Sequence, residues 1–167
     1  VDVIPGLTTE IPHLATSITR KWVQTAPQEA ASWAEEREDP AVRADAVKSV
    51  AAYWAVRDFD SAFSWAYNIE DELTRAHALS NVAAQQGRTD PESARDWIAN
   101  VGDTFTRART ISGYVMGRLQ SAGDGKAARK LGDMIKTDAI DYAAARKIVE
   151  KARISDEDKR ELLRFLP

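Results

Sequence analysis

Three arginines stand 32 residues apart in this chain, and four residues before each of them lies an aspartate. The arginines are Arg43, Arg75 and Arg107. The aspartates are Asp39, Asp71 and Asp103. A guanidinium group presents planar pairs of N–H donors that match the oxygens of a carboxylate or a phosphate. On successive helices about 10 Å apart, three such groups could hold an acidic peptide or a carboxylate-bearing polymer.

The same spacing also fits a structural role for these arginines. Residues four apart lie on one face of a helix, where an acid and a base form an ion pair. Each arginine could also donate to carbonyl groups at the helix ends of an adjacent unit. The spacing alone leaves the binding and structural roles open. The predicted partner-binding set is completed by two arginines of a basic segment, Arg109 and Arg118.

Residues suited to catalysis or metal binding are sparse. The chain has two histidines and no cysteine, which excludes thiolate metal sites and a cysteine nucleophile. The segment "SAGDGKA" matches a phosphate-binding loop only in part, because Gln120 replaces a glycine and Ala127 follows Lys126. The 26 acidic residues single out no carboxylate pair for acid–base chemistry. We therefore expect no catalytic residue, metal or cofactor.

Tryptophan returns at the same interval of 32 residues. Trp33, Trp65 and Trp97 each follow an alanine by three positions. The alanines are Ala30, Ala62 and Ala94. Exposed tryptophans could stack on sugars or peptide side chains, but a tryptophan beside a small alanine fits better between neighbouring helices. We expect these six residues to form a repeated core together with Val47, Leu79 and Ile111.

A second tryptophan column changes character along the chain. Trp22 and Trp54 are followed at the same interval by Gln86 and Arg118. Because this column becomes polar, we expect Trp22 and Trp54 to face the surface.

These columns predict an all-α fold, a short α-solenoid of antiparallel helix pairs with a 32-residue repeat. Each unit has a short helix with the Ala–Trp pair and a longer helix with the aliphatic stripe. The predicted single domain covers residues 1–167, with a half repeat at 9–25, repeats at 26–57, 58–89 and 90–123, a degenerate repeat at 124–153 and a capping helix at 155–166. Aspartates at the N-caps, two followed by proline, and Ser155 before the last helix agree with these boundaries.

Charge and hydropathy narrow the range of partners. The net charge of −3 disfavours nucleic acid, and no apolar run is long enough for membrane insertion. Acids prevail between residues 28 and 45, and bases prevail between residues 105 and 136. This separation could dock oppositely charged partners or let copies associate through their ends. The lack of cysteine suits an exported as well as a cytosolic protein, so the compartment stays open.

The repeat resembles the α-solenoid superfamily of helix–turn–helix repeats, which includes tetratricopeptide and HEAT-like arrays. The resemblance covers residues 9–153, although the 34-residue tetratricopeptide signature W-x2-L-G-x2-Y is absent. The "W…DP…A…W" pattern is similar to helical repeats common in bacterial proteins. This resemblance implies a partner-binding scaffold and carries over no functional residue.

We expect a non-catalytic scaffold or adaptor that binds a protein or peptide, possibly an acidic one, as part of a longer chain. One alternative is an accessory superhelical domain of a larger enzyme, for example one that processes cell walls. Another is an RNA-binding helical repeat, which the negative charge disfavours.

Overall fold

The computed structural model of this chain is all-helical, as the composition predicts. It describes the backbone of residues 12–136 and 141–166 and the side chains of residues 19–94, 96–134 and 141–166. Residues 1–11, 137–140 and 167 lie outside this part, so the predicted units at 9–25 and 124–153 are described only in part. Ten helices and no strand occur in the described residues: α1 (Pro12–Thr25), α2 (Pro27–Glu35), α3 (Pro40–Arg57), α4 (Phe59–Tyr67), α5 (Glu72–Thr89), α6 (Pro91–Ile98), α7 (Thr104–Ser121), α8 (Gly125–Lys136), α9 (Tyr142–Glu150) and α10 (Asp156–Phe165).

Local sequence signals begin these helices. Proline is the first residue of α1, α2, α3 and α6, where its fixed φ suits the helix and its missing N–H leaves no bond unmade. The Asp39 carboxylate accepts hydrogen bonds from two amides of the first turn of α3, at 2.8 and 3.1 Å. Asp71 and Asp103 cap α5 and α7 in the same way, and the Ser155 hydroxyl caps α10. The predicted N-caps are confirmed.

The three longest helices are equal in length and evenly spaced along the chain. Helices α3, α5 and α7 each have 18 residues, and they begin at Pro40, Glu72 and Thr104. Helix α1 packs on α3, α3 on α5 and α5 on α7, while each short helix α2, α4 and α6 packs on the long helix that follows it. Two clusters of buried side chains meet at α5, which contributes Leu79 and Val82 to the first and Ala83 to the second.

Helices α5 and α7 approach each other backbone to backbone. A Cβ atom added at Gly113 would lie 2.1 Å from the carbonyl oxygen of Ser80, and one added at Gly117 would lie 2.0 Å from that of Ala84. Only glycine leaves room for contacts of this kind. The two glycines, one helical turn apart, therefore set the distance between α5 and α7.

The residues predicted to form a repeated core occupy the interior to different degrees. Ala30, Ala62, Ala94, Val47 and Leu79 have no exposed surface, and Ile111 is 8% exposed. The tryptophans Trp33, Trp65 and Trp97 are half-buried and pack against the core clusters.

Trp65 shows how these tryptophans are held. Its ring stacks on that of Trp54 with the centroids 5.6 Å apart, and its indole N–H donates to Glu35 at 2.8 Å. The indole therefore links α4 to the ends of two preceding helices.

The expectation that the second tryptophan column faces the surface is wrong for Trp54. Its side chain is 5% exposed and Gln86, one unit later, is 6% exposed. Trp54 lies under the ring of Trp65, and α5, which carries Gln86, is covered by α7. Polarity in one member of the column therefore did not indicate exposure, because the stacking of neighbouring helices encloses the whole column at these positions.

The last helices pack in sequence, and α10 also reaches back to α7. Helix α8 packs on α7, α9 on α8 and α10 on α9. The Tyr114 hydroxyl of α7 donates to Glu161 of α10 at 2.8 Å, and the Tyr114 ring lies 4.8 Å from that of Phe165. Helix α10 thus covers part of α7 at the carboxyl end of the array.

Candidate functional site

Two of the three column arginines are engaged by backbone carbonyl groups. The Arg75 guanidinium donates to the carbonyl oxygens of Ile69 and Glu70 at 2.8 and 3.0 Å. The Nε of Arg107 donates to the carbonyl oxygen of Val101 at 2.8 Å. These carbonyls lie at the end of the short helix or in the loop that follows it, just before the helix that carries the arginine. Arg75 and Arg107 therefore hold the loops that enter α5 and α7.

The column also interacts with the capping aspartates, but not in the pairing expected from the sequence. Arg75 lies 3.8 Å from Asp103, the N-cap of the next long helix. The pKa of Asp71 is lowered by its hydrogen bonds with Thr74, with smaller contributions from the positive charges of Arg43 and Arg75. The arginine of one long helix thus lies near the N-cap of the following one, which links successive units.

Arg43 lies at the wall of an open cavity of about 480 Å³. The cavity is formed by the end of α2, the start of α3 and the loop between α4 and α5. Its lining residues are Glu35, Arg43, Asn68, Ile69, Glu70, Asp71 and Thr74. Three carboxylates surround one guanidinium, so the charge of this cavity disfavours an acidic ligand. A partner-binding role for Arg43, Arg75 and Arg107 stays a prediction.

The other two predicted arginines are enclosed by the fold. Arg109 has no exposed surface, and its guanidinium lies over the ring of Phe105, 5.0 Å from the centroid. Arg118 forms ion pairs with Asp158 and Glu161 of α10, the second at 3.5 Å. Burial removes Arg109 from any surface that a partner can reach, and α10 occupies Arg118.

A basic cleft of about 430 Å³ opens between α8 and α9. Its lining residues are Asp124, Lys126, Ala127, Lys130, Lys147, Ile148, Lys151 and Arg153. Five cationic side chains therefore meet one carboxylate, in a chain whose net charge is −3. We call this surface the basic cleft.

Helix geometry brings the four lysines of the basic cleft together. Lys126 and Lys130 are four residues apart in α8, and Lys147 and Lys151 are four residues apart at the end of α9. Residues at this spacing lie one above the other on the same face of a helix. Because α8 and α9 pack against each other and both pairs line the same cleft, the two pairs converge.

The carboxylate of the basic cleft serves the backbone. The two oxygens of Asp124 accept hydrogen bonds from the amides of Ala127, at 3.0 Å, and Arg153, at 2.7 Å. The pKa of Asp124 is lowered because the Arg153 and Ala127 amides donate to its charged form. Asp124 therefore caps α8 and ties it to the segment after α9, which fixes the shape of the cleft.

Sequence reasoning did not assemble the basic cleft. Lys126 and Lys130 were counted only as part of a basic segment, and the cations after α9 were not considered. A local signal was present, because "KAARK" and "KIVEK" place two lysines four residues apart in consecutive helices. That signal places each pair on one helix face but does not show that the two faces meet.

Other surfaces carry less specific chemistry. A cavity of about 700 Å³ is lined by Glu157, Arg160, Glu161, Arg164 and Phe165 of α10, where the charges are balanced. Within the described residues, no group of three histidine or acidic side chains is placed to hold a metal ion. No helix in this part of the chain is both long enough and apolar enough to cross a membrane.

Comparison with protein-family models, curated proteins and solved structures finds no match for this chain.

Proposed function

We propose that this chain is a short α-solenoid with a 32-residue repeat, acting as a non-catalytic scaffold that binds an acidic segment of a protein or peptide. The basic cleft is the observation that carries this proposal. It gathers five cations around one carboxylate, whereas the arginines predicted to bind an acidic partner are engaged within the fold or surrounded by acids.

The arrangement of the long helices supports the solenoid. Helices α3, α5 and α7 have the same length, begin at intervals of 32 residues and stack in chain order. Each begins at a capping aspartate, and Arg75 and Arg107 each donate to a carbonyl just before their own helix. A stack of similar units joined by the same contacts is the architecture of a solenoid.

Electrostatics support an acidic partner at the basic cleft. Lys126, Lys130, Lys147 and Lys151 are exposed, and no ion pair within the described part of the chain engages them. Elsewhere an exposed lysine has an acid beside it, as Lys48 has Asp45 at 3.1 Å. Clustered charges of one sign attract ligands of the other, and salt weakens that attraction by screening.

A binding assay with a labelled aspartate- and glutamate-rich peptide tests the proposal. We expect fluorescence anisotropy to rise on addition of the protein and the affinity to fall as salt is increased. Neutralising one lysine on each helix, in Lys130→Gln with Lys147→Gln, should weaken binding about tenfold, since each charge-assisted contact contributes about 1.5–3 kcal/mol when fully formed and less when exposed.

The matched control neutralises two lysines far from the basic cleft, in Lys21→Gln with Lys48→Gln. Both double variants have the same net charge, so a loss caused by total charge alone would be equal in the two. Binding that is absent in the wild type, or lost equally in both variants, contradicts the proposal.

A further inference from the structure

We propose that the basic cleft recognises a phosphate group carried by the partner segment, in preference to a run of carboxylates. This inference rests on the proposed binding of an acidic partner and names the group that is bound. The juxtaposition of two lysine pairs across one cleft carries it.

The kind of cation in the basic cleft favours phosphate. Four of the five cationic residues are lysines. Arginine is the residue whose planar fork matches a carboxylate through two parallel hydrogen bonds, whereas lysine acts as a point charge with three rotatable donors. A cluster of point charges suits a compact anion that can be approached from several directions.

The placement of the lysines points the same way. Lys126 and Lys130 approach the cleft from α8, while Lys147 and Lys151 approach it from α9. A phosphorylated side chain carries a charge of about −1.5 to −2 and three strong acceptor oxygens on one atom. It can therefore accept from both helices at once. Carboxylates on an extended peptide are spread at about 3.3 Å per residue and do not concentrate charge in this way.

The lysine pairs work against folding. Like charges four residues apart on a helix repel each other, and this repulsion destabilises the helix. The chain carries this arrangement twice, in α8 and at the end of α9, and the two pairs face the same space. The cleft is thus organised for an anion, because a bound dianion removes a repulsion that the folded chain otherwise retains.

The one carboxylate of the basic cleft does not prevent phosphate binding. Both oxygens of Asp124 already accept from backbone amides, so the carboxylate is held at the base of α8. The five cations leave a surplus of four positive charges around it. The volume of about 430 Å³ lies in the range of about 300–1,000 Å³ found for ligand sites.

Three short peptides that differ at one position test the inference. The position holds serine, glutamate or phosphoserine, and anisotropy measures the affinity of each for the wild-type protein. We expect the phosphoserine peptide to bind about tenfold more tightly than the glutamate peptide, since charge-assisted bonds to three oxygens exceed those to one carboxylate. This preference should disappear in the Lys130→Gln, Lys147→Gln variant and remain in the Lys21→Gln, Lys48→Gln control.

The pH dependence separates phosphate from carboxylate. Between about pH 7.5 and about pH 5.5 a phosphate gains a proton, because its second pKa is about 6. Glutamate and lysine keep their charges over this range. Affinity for the phosphoserine peptide should therefore fall over this range while that for the glutamate peptide stays constant.

The outcomes distinguish this inference from the proposed function. Equal affinity for the glutamate and phosphoserine peptides would overturn phosphate recognition and leave acidic-segment binding standing. Absence of binding by both would overturn the two together. A single-stranded RNA that binds the basic cleft more tightly than the phosphoserine peptide would overturn both as well. Unchanged thermal melting of the double variants establishes that any loss arises at the cleft rather than from unfolding.

Discussion

Replacing Gly117 by alanine tests the closest contact in the molecule. The added Cβ would lie 2.0 Å from the Ala84 carbonyl oxygen, and 2.8 Å from the Ala84 carbonyl carbon. Both are backbone atoms of α5, so no side-chain rotation can remove the overlap. Real Cβ atoms essentially never approach closer than 3.0 Å. Helices α5 and α7 must therefore move apart by at least 1 Å, and this movement loosens the packing along the whole contact.

The expected loss of stability follows from two opposing effects. Overpacking a close contact costs about 1–3 kcal/mol, and a rigid backbone contact belongs at the upper end of that range. Alanine in a helix interior is more favourable than glycine by about 0.8–1.0 kcal/mol. We therefore expect the free energy of unfolding to fall by about 2 kcal/mol, which corresponds to a decrease of about 4–8 °C in Tm for a chain of this size.

Urea unfolding followed by tryptophan fluorescence and by circular dichroism measures this change. The matched control is Gly102→Ala, because a Cβ at Gly102 meets no atom within 4 Å and should change stability by less than about 0.5 kcal/mol. Adding Gly113→Ala to Gly117→Ala should cost less than the sum of the single effects, since one separation of the helices relieves both overlaps. A Gly117→Ala protein as stable as the wild type would refute the backbone contact.

Two further predictions concern the core and the helix caps. Trp65→Ala should lower the free energy of unfolding by about 3 kcal/mol, the low end for a large aromatic residue because the ring is half-buried, and a Tm within a degree or two of the wild type would contradict its packing role. The pKa of Asp71 is lowered by its hydrogen bonds with Thr74 from a reference value of 3.8, so its contribution is present above pH 3.8 and is lost as the pH falls below that value. Asp71→Asn should therefore be less stable than the wild type near neutral pH and converge with it in acid. A constant difference in urea unfolding at all pH values would contradict this assignment.

Local interactions explain why some features of the fold could be predicted from the sequence. An N-cap depends on one side chain and the next three amides, and Asp39 and Asp71 cap as expected. The partners of Arg75 do not follow from local spacing. Its own capping aspartate lies four residues earlier, but the measured ion pair is with Asp103. That contact exists only because α5 packs on α7.

Burial at Trp54 and convergence at the basic cleft were missed for the same physical reason. The column of Trp54 becomes polar at Gln86, yet both residues are enclosed once neighbouring helices pack on them. The cleft combines Lys130 and Lys147, which belong to different helices and lie beyond the part of the sequence where the 32-residue interval is kept. A periodic pattern predicts which residues share a face, and the packing of faces decides what each one meets.

Cations engaged by the fold and cations left to solvent should differ in the sign of their effect on stability. Arg75 donates to two carbonyl oxygens, so Arg75→Gln should lower the free energy of unfolding by about 1–2 kcal/mol. Lys130 has a lysine four residues before it and no described ion pair, so Lys130→Gln should leave stability unchanged or raise it by about 0.2–0.5 kcal/mol. Urea unfolding of the two variants compares them directly. If Arg75→Gln proved as stable as the wild type, its carbonyl contacts would contribute nothing to folding, and the arginine column would again rival the basic cleft as the surface that binds a partner.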